Sequence, residues 1–118
     1  MNARNTPYWL EKGEVPELAQ TLIEQEKRER SGGLDLGNCG LRAIPREVWE
    51  EMPWLRWVNF SVWGFLGGAD DYGKTKNQGA GNHLQALPPT LPHWPEMTAL
   101  TLAGNRFSPG KIQALDPL

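Results

Sequence analysis

The sequence is poor in the residues that most often carry chemistry. It holds one cysteine, Cys39, and two histidines, His83 and His93. A lone cysteine excludes an internal disulfide framework and suits a reducing compartment. Long apolar runs are also missing: no stretch approaches the roughly 18 residues that a membrane-spanning helix needs. Met1 to Glu14 has no apolar segment flanked by basic residues, so no secretory signal is read there. Excess charge of either sign is lacking. Lysine and arginine number 12 against 14 acidic residues, a net charge of −2, which leaves no electrostatic reason to expect nucleic acid. These absences describe a cytoplasmic protein with neither nucleic acid nor membrane among its partners.

What the chain does have is frequent turning and a recurrent apolar cycle. Thirteen glycines and ten prolines in 118 residues suit a structure that turns about every dozen residues. One stretch carries Leu34, Leu36, Cys39, Leu41, Ile44-Pro45, Val48, Met52 and Leu55. A second carries Leu84, Leu87-Pro88, Leu91, Met97, Leu100, Leu102, Asn105 and Phe107. Both follow L-x-L-x-x-(N/C)-x-L-x-x-(L/I)-P-x-x-(L/V). Alternate residues of Leu34-x-Leu36, Val58-x-Phe60 and Leu100-x-Leu102 point one way, as in strands buried on one face.

This pattern resembles the leucine-rich repeat family, in which each cycle is one strand plus a turn or short helix. The resemblance covers residues 31 to 118. It implies a short α/β solenoid: a capping helix, then about three parallel strands backed by turns or short helices. It also implies that Cys39 takes an inward slot usually held by Asn, where Asn bonds the loops of neighbouring coils and Cys bonds more weakly. Such coils stack and present a curved strand face whose usual work is holding another protein.

The distance from Val58 to Leu100 is too long for one coil. Gly81 to Pro88 reads as the resumption of a cycle, so Val62 to Ala80 is an insertion at the strand's end. Its apolar content, Trp63, Phe65, Leu66 and Tyr72, predicts that part of it packs onto the strand edge. Residues 1 to 32 are a tail and helix, and 33 to 118 the repeats. The helix starts at Val15-Pro16, carries a stripe of Leu18, Ala19, Leu22 and Ile23, and stops at Ser31-Gly32-Gly33. Its charged end, Gln25 to Arg30, is expected to be solvated. It resembles the amphipathic lead-in before leucine-rich repeats of bacterial signalling proteins. At the other end, Lys111 to Leu118 reads as half of a further coil, leaving an open edge for self-association or subunit packing.

Candidate chemistry is thin. Gly68-Ala69-Asp70-Asp71-Tyr72-Gly73-Lys74-Thr75 fits the phosphate-cradling G-x-x-x-x-G-K-(S/T). Yet the next residues are poor helix material, and Asp70 and Asp71 would repel phosphates. Asp70 and Asp71 also fall short of the oxygens calcium needs. The two histidines lie far apart in the implied fold, and Cys39 is expected to be an inert thiol. No catalytic residue, metal or cofactor is expected.

The six tryptophans are the better clue. Trp54 and Trp94 are expected to fill space beside Pro53 and Pro95, and Trp49 to be partly exposed on the back. Trp57 is expected to project from the outward strand face with Asn59 and Ser61, between low neighbours such as Asp35 and Thr101. A large aromatic on low ground is the geometry of a binding anchor; the alternative, a ring covered by the inserted loop, stays open. The resulting expectation is a protein-binding, non-enzymatic module. Its partner surface comprises Asp35, Trp57, Asn59, Ser61, Thr101 and Tyr72. The competing expectation is the amino-terminal repeat segment of a larger bacterial signalling or defence NTPase, with a mainly structural role.

Overall fold

A computed structural model describes residues 8–67 and 70–105. In chain order the elements are β1 (Trp9–Leu10), a 3-10 turn (Lys12–Glu14), α1 (Glu17–Glu29), β2 (Gly33–Asp35), β3 (Ile44–Pro45), α2 (Arg46–Glu50), β4 (Trp57–Asn59), β5 (Trp63–Phe65), β6 (Tyr72–Lys74) and β7 (Ala99–Thr101). They form an α/β globule with three small sheets: parallel β2-β4-β7, parallel β1-β3 and antiparallel β5-β6. Among the described residues no helix is long and apolar enough to cross a membrane.

The period-2 leucine pattern builds the central sheet. Leu34, Val58 and Leu100 stand side by side in register, as do Asp35, Asn59 and Thr101 on the opposite face. The first row points into the core. Leu36, Phe60 and Leu102 follow it into the same interior. Behind them pack Leu41, Ile44, Val48, Met52, Leu55, Leu84 and Leu87, all buried. Leu91, at the position matching Val48 in the repeated cycle, is 77% exposed. The proline-rich segment around it forms no helix like α2, and Trp94 fills the space instead.

Where the loops after β2 and β4 turn, two asparagines satisfy buried backbone. Asn82 Oδ1 accepts the N–H groups of Cys39 (3.2 Å) and Leu41 (2.8 Å). Its Nδ2 donates to the carbonyls of Leu36 (2.8 Å) and Phe60 (3.0 Å). Asn105 works in the same way one level on, accepting from Leu84 N–H and donating to Phe60 and Leu102 carbonyls. Cys39 bonds more weakly: its thiol donates to the Gly37 carbonyl at 3.5 Å and accepts from Asn77 Nδ2 at 3.9 Å.

Helix α1 follows Pro16 and ends at Arg30, which adopts the left-handed conformation (φ 48°). It packs against β2 at one edge of the parallel sheet. Its buried residues are Ala19, Ile23 and Glu26, with Leu22 partly buried; Leu18, expected in the stripe, is exposed and lies beside the Gly79 loop. The charged end is not simply solvated. Glu26 accepts from Gly32 N–H (2.8 Å), Trp54 Nε1 (2.9 Å) and Ser31 Oγ (2.6 Å), tying the helix end to the sheet. The Arg30 guanidinium lies over the Trp54 ring.

Trp49 is buried (1% exposed), not partly exposed as its position after Val48 suggests. The Leu87–Pro95 stretch closes over it. Trp49 Nε1 donates to the Thr90 carbonyl, and its ring meets Trp94 edge-on at 5.3 Å. Trp94 Nε1 in turn donates to the Val48 carbonyl.

Glu47 on α2 is a second buried carboxylate. Burial works against its charge. Hydrogen bonding and charge from Lys27, with help from Gln20 and Lys12, outweigh that and hold its pKa below the ordinary 4.5. A depressed carboxylate contributes stability that is present above the unfolded pKa and lost as pH falls through the folded one. Glu47→Gln is therefore expected to flatten the acid limb of the stability curve below about pH 4.5. Chemical denaturation repeated from pH 7 to pH 2 measures this, and an unchanged acid limb contradicts it.

The stretch Lys111–Leu118, expected to leave an open edge, and Phe107 lie outside the described residues. β7 is the last strand of the parallel sheet among those described.

Candidate functional site

The insertion read as Val62 to Ala80 begins as a β-hairpin. β5 and β6 pair with Trp63 opposite Lys74, Gly64 opposite Gly73 and Phe65 opposite Tyr72. Alternation along each strand then puts both glycines on one face and Trp63, Phe65, Tyr72 and Lys74 on the other.

The glycine face lies on the outward face of the parallel sheet. A Cβ on Gly64 would stand 2.1 Å from Asn59 Oδ1 and 2.8 Å from Thr101 Cγ2, so only glycine lets the backbone come this close. Phe65 N–H donates to Thr101 Oγ1 (3.2 Å), and Thr75 N–H closes the hairpin base on the Val62 carbonyl. The chain then crosses back to β2. Thr75 Oγ1 donates to Asp35 Oδ2 (2.6 Å), and Asn77 Nδ2 donates to the Asp35 and Gly37 carbonyls, both at 2.9 Å.

This placement corrects the expected partner surface. Asn59, Ser61 and Thr101 do lie on the outward face, but they are buried at 0%, 6% and 8% exposure. Asn59 binds Asp35 Oδ1, the Ser61 carbonyl and the Ser61 N–H; Ser61 Oγ donates to the Ala103 carbonyl. Asp35 is half-buried, and its carboxylate is occupied by Gly37 N–H, Asn59 and Thr75. Thr101, Asn59 and Asp35 lie under the hairpin and the chain that leaves it, and Ser61 is tied to Asn59 and Ala103, so these side chains are already engaged. Trp57 is half-buried, with its indole across Gly33, where a Cβ would stand 2.1 Å from the ring.

Tyr72 alone of the six is well exposed, at 60%, and the structure gives it a neighbour that sequence reasoning placed only in the packing of the loop. Trp63 is 53% exposed and stacks on Tyr72, with centroids 6.3 Å apart and planes 19° from parallel. Phe65 meets Tyr72 edge-on at 5.2 Å. Beside this ridge is a cleft of about 410 Å³, lined by Trp63, Tyr72, Val62, Asn38, His83 and Asn105 among others. The signal for the ridge was in the sequence: Trp63-Gly64-Phe65 and Tyr72-Gly73-Lys74 both place glycine between large side chains.

The phosphate-loop pattern does not form a cradle in its described part. Tyr72 to Lys74 are a strand, no helix follows among the described residues, and the Thr75 hydroxyl is buried and committed to Asp35. Cys39 is buried, and burial, with the nearby charge of Asp35, pushes its thiol up to about 12. Such a thiol is protonated at neutral pH and a poor nucleophile. Among the described residues no group of three or more His, Cys, Asp or Glu is placed to hold a metal. Comparison with protein-family models, with curated proteins and with solved structures finds no match to this chain.

Proposed function

We propose that this chain is a short leucine-rich-repeat module, active as a protein-binding element and not as an enzyme, whose binding surface is the aromatic face of the inserted hairpin. The solenoid reading is supported by the parallel register of Leu34, Val58 and Leu100 and by the two asparagine rungs at Asn82 and Asn105. The binding reading rests on one observation: Trp63 and Tyr72 are stacked together and more than half exposed. Aromatic pairs of this kind have much contact area and little rotational freedom to lose, and exposed apolar clusters mark interaction sites. The outward strand face, covered by the hairpin, serves as its seat. Trp57 remains at its margin.

Substituting both Trp63 and Tyr72 by alanine removes the ridge while leaving Gly64 and the seat intact. Stability is expected to change by less than about 1 kcal/mol, as at other exposed sites. Capture of partners from the native cytosol, quantified against the unsubstituted chain, is expected to drop at least roughly tenfold. Undiminished capture by the double variant sinks the ridge as the binding surface, and capture of nothing by the unsubstituted chain sinks the binding reading and favours a structural role within a larger assembly.

A further inference from the structure

The hairpin's hydrogen bonding is unequal at its two edges. Asp71, Gly73 and Thr75 face β5, as the bonds from Leu66 N–H to the Asp71 carbonyl and from Thr75 N–H to the Val62 carbonyl require. Tyr72 and Lys74 therefore turn their N–H and C=O groups away from β5. On the β5 side, the outer edge is engaged, with Phe65 N–H bonded to Thr101. On the β6 side, the backbone groups of Tyr72 and Lys74 have no partner among the described residues. Lys76 continues the same alternation, since Thr75 between them points inward to Asp35.

The side chains along this edge are graded in charge. Asp70 and Asp71 sit at the hairpin turn, Tyr72 follows, and Lys74 and Lys76 lie toward the base, all exposed. Neither lysine makes an ion pair among the described residues, whereas Lys12, Lys27, Arg42 and Arg46 all do. A strand edge with open backbone groups, an aromatic and two uncompensated cations is complementary to an extended chain carrying carboxylates.

We infer that the outer edge of β6 takes up an acidic, extended peptide segment by antiparallel strand addition. The segment places an apolar side chain beside Tyr72 and carboxylates beside Lys74 and Lys76. Antiparallel pairing reads the segment as acidic-x-acidic-x-apolar from its amino end, with the apolar residue extending the Trp63–Tyr72 ridge. This names the partner chemistry for the binding role proposed above and rests on that role.

The test uses the full chain and a labelled, capped peptide Glu-Thr-Glu-Thr-Phe-Thr, followed by fluorescence anisotropy. Binding is expected, and Lys74→Glu should weaken it roughly five- to tenfold, since an attractive cross-strand pair becomes a repulsive one. A peptide with lysine in place of the second glutamate should regain that loss on the Lys74→Glu chain. Methylating the backbone nitrogens of that glutamate and of the phenylalanine should abolish binding; methylating the threonine nitrogens should not, because those face away from β6. Absence of binding at about 1 mM peptide, or equal binding by the two methylated peptides, overturns strand addition. Self-association of a Lys74→Ala, Lys76→Ala chain in sedimentation, with no peptide bound by the parent, overturns it too, because the lysines would then be guarding a bare edge. If the peptide fails while partner capture still depends on Trp63 and Tyr72, only the strand-addition inference falls.

Discussion

Asn82→Ala is expected to lower the free energy of unfolding by about 3–5 kcal/mol, the largest loss from any single polar side chain here. The side chain is buried and makes four hydrogen bonds, to the backbone of Leu36, Cys39, Leu41 and Phe60. Alanine removes all four at once and leaves two N–H and two C=O groups in an apolar surround. Each orphaned buried group costs about 1–3 kcal/mol, so the plain sum exceeds the figure given. Two effects reduce it: the Phe60 carbonyl keeps a second donor in Asn105 at 3.2 Å, and water can enter the vacated space. Against the roughly 5–15 kcal/mol that holds a small domain together, such a loss brings the chain close to unfolding at room temperature. Urea denaturation measures it. Asn38→Gly is the control, because Asn38 is half-buried, adopts a positive φ of 51° that glycine accepts, and donates a single bond, to the Asn77 carbonyl. Equal effects at Asn82 and Asn38 contradict the rung role.

Asn82 also shows how far the sequence could be read. The apolar cycle locates the core because burial on one face of a strand imposes a spacing of two, which survives in the letters. Leu34, Leu36, Val58 and Phe60 are accordingly all buried. Asn82 stands in the stretch from Gly81 to Pro88 that reads as a resumed cycle, but its bonds to the loop after β2 show only in the structure. Charged and aromatic residues were harder. Glu26 sits in a stretch that reads as solvated, and only its tertiary neighbours Trp54 and Gly32 make its burial tolerable, as Lys27 does for Glu47 on α2. Trp49 looks half-exposed in sequence because the cover over it, near Thr90, lies far along the chain. The candidate site was misread for a related reason. Strand alternation correctly put Asn59 and Thr101 on the outward face, but nothing local to those strands reports that a separate hairpin lies on top.

The contact that makes the hairpin lie there is also the most exacting one in the site. Gly64→Ala is expected to cost about 2–3 kcal/mol, within the range for forcing an extra carbon into a filled contact. The added Cβ meets Asn59 Oδ1 at 2.1 Å, and Asn59 has no easy retreat. Its amide is held by Asp35 Oδ1 and the Ser61 carbonyl, and its oxygen accepts from Ser61 N–H. The hairpin must lift instead, stretching the Phe65 N–H bond to Thr101 and uncovering polar groups that it now buries. Gly73→Ala supplies the contrast on the partner strand. There the new Cβ meets only Leu66 Cδ1 at 3.7 Å, an ordinary contact, so stability should hold or rise slightly as the unfolded chain loses freedom. Denaturation curves compare the two variants, and hydrogen exchange at the Phe65 amide reports lifting directly. Since neither change touches Trp63 or Tyr72, any loss of partner binding confined to Gly64→Ala belongs to the seating of the ridge and not to its chemistry. A Gly64→Ala chain with the parent's unfolding curve and a still-protected Phe65 amide would mean that the hairpin is held by something other than Asn59 and Thr101.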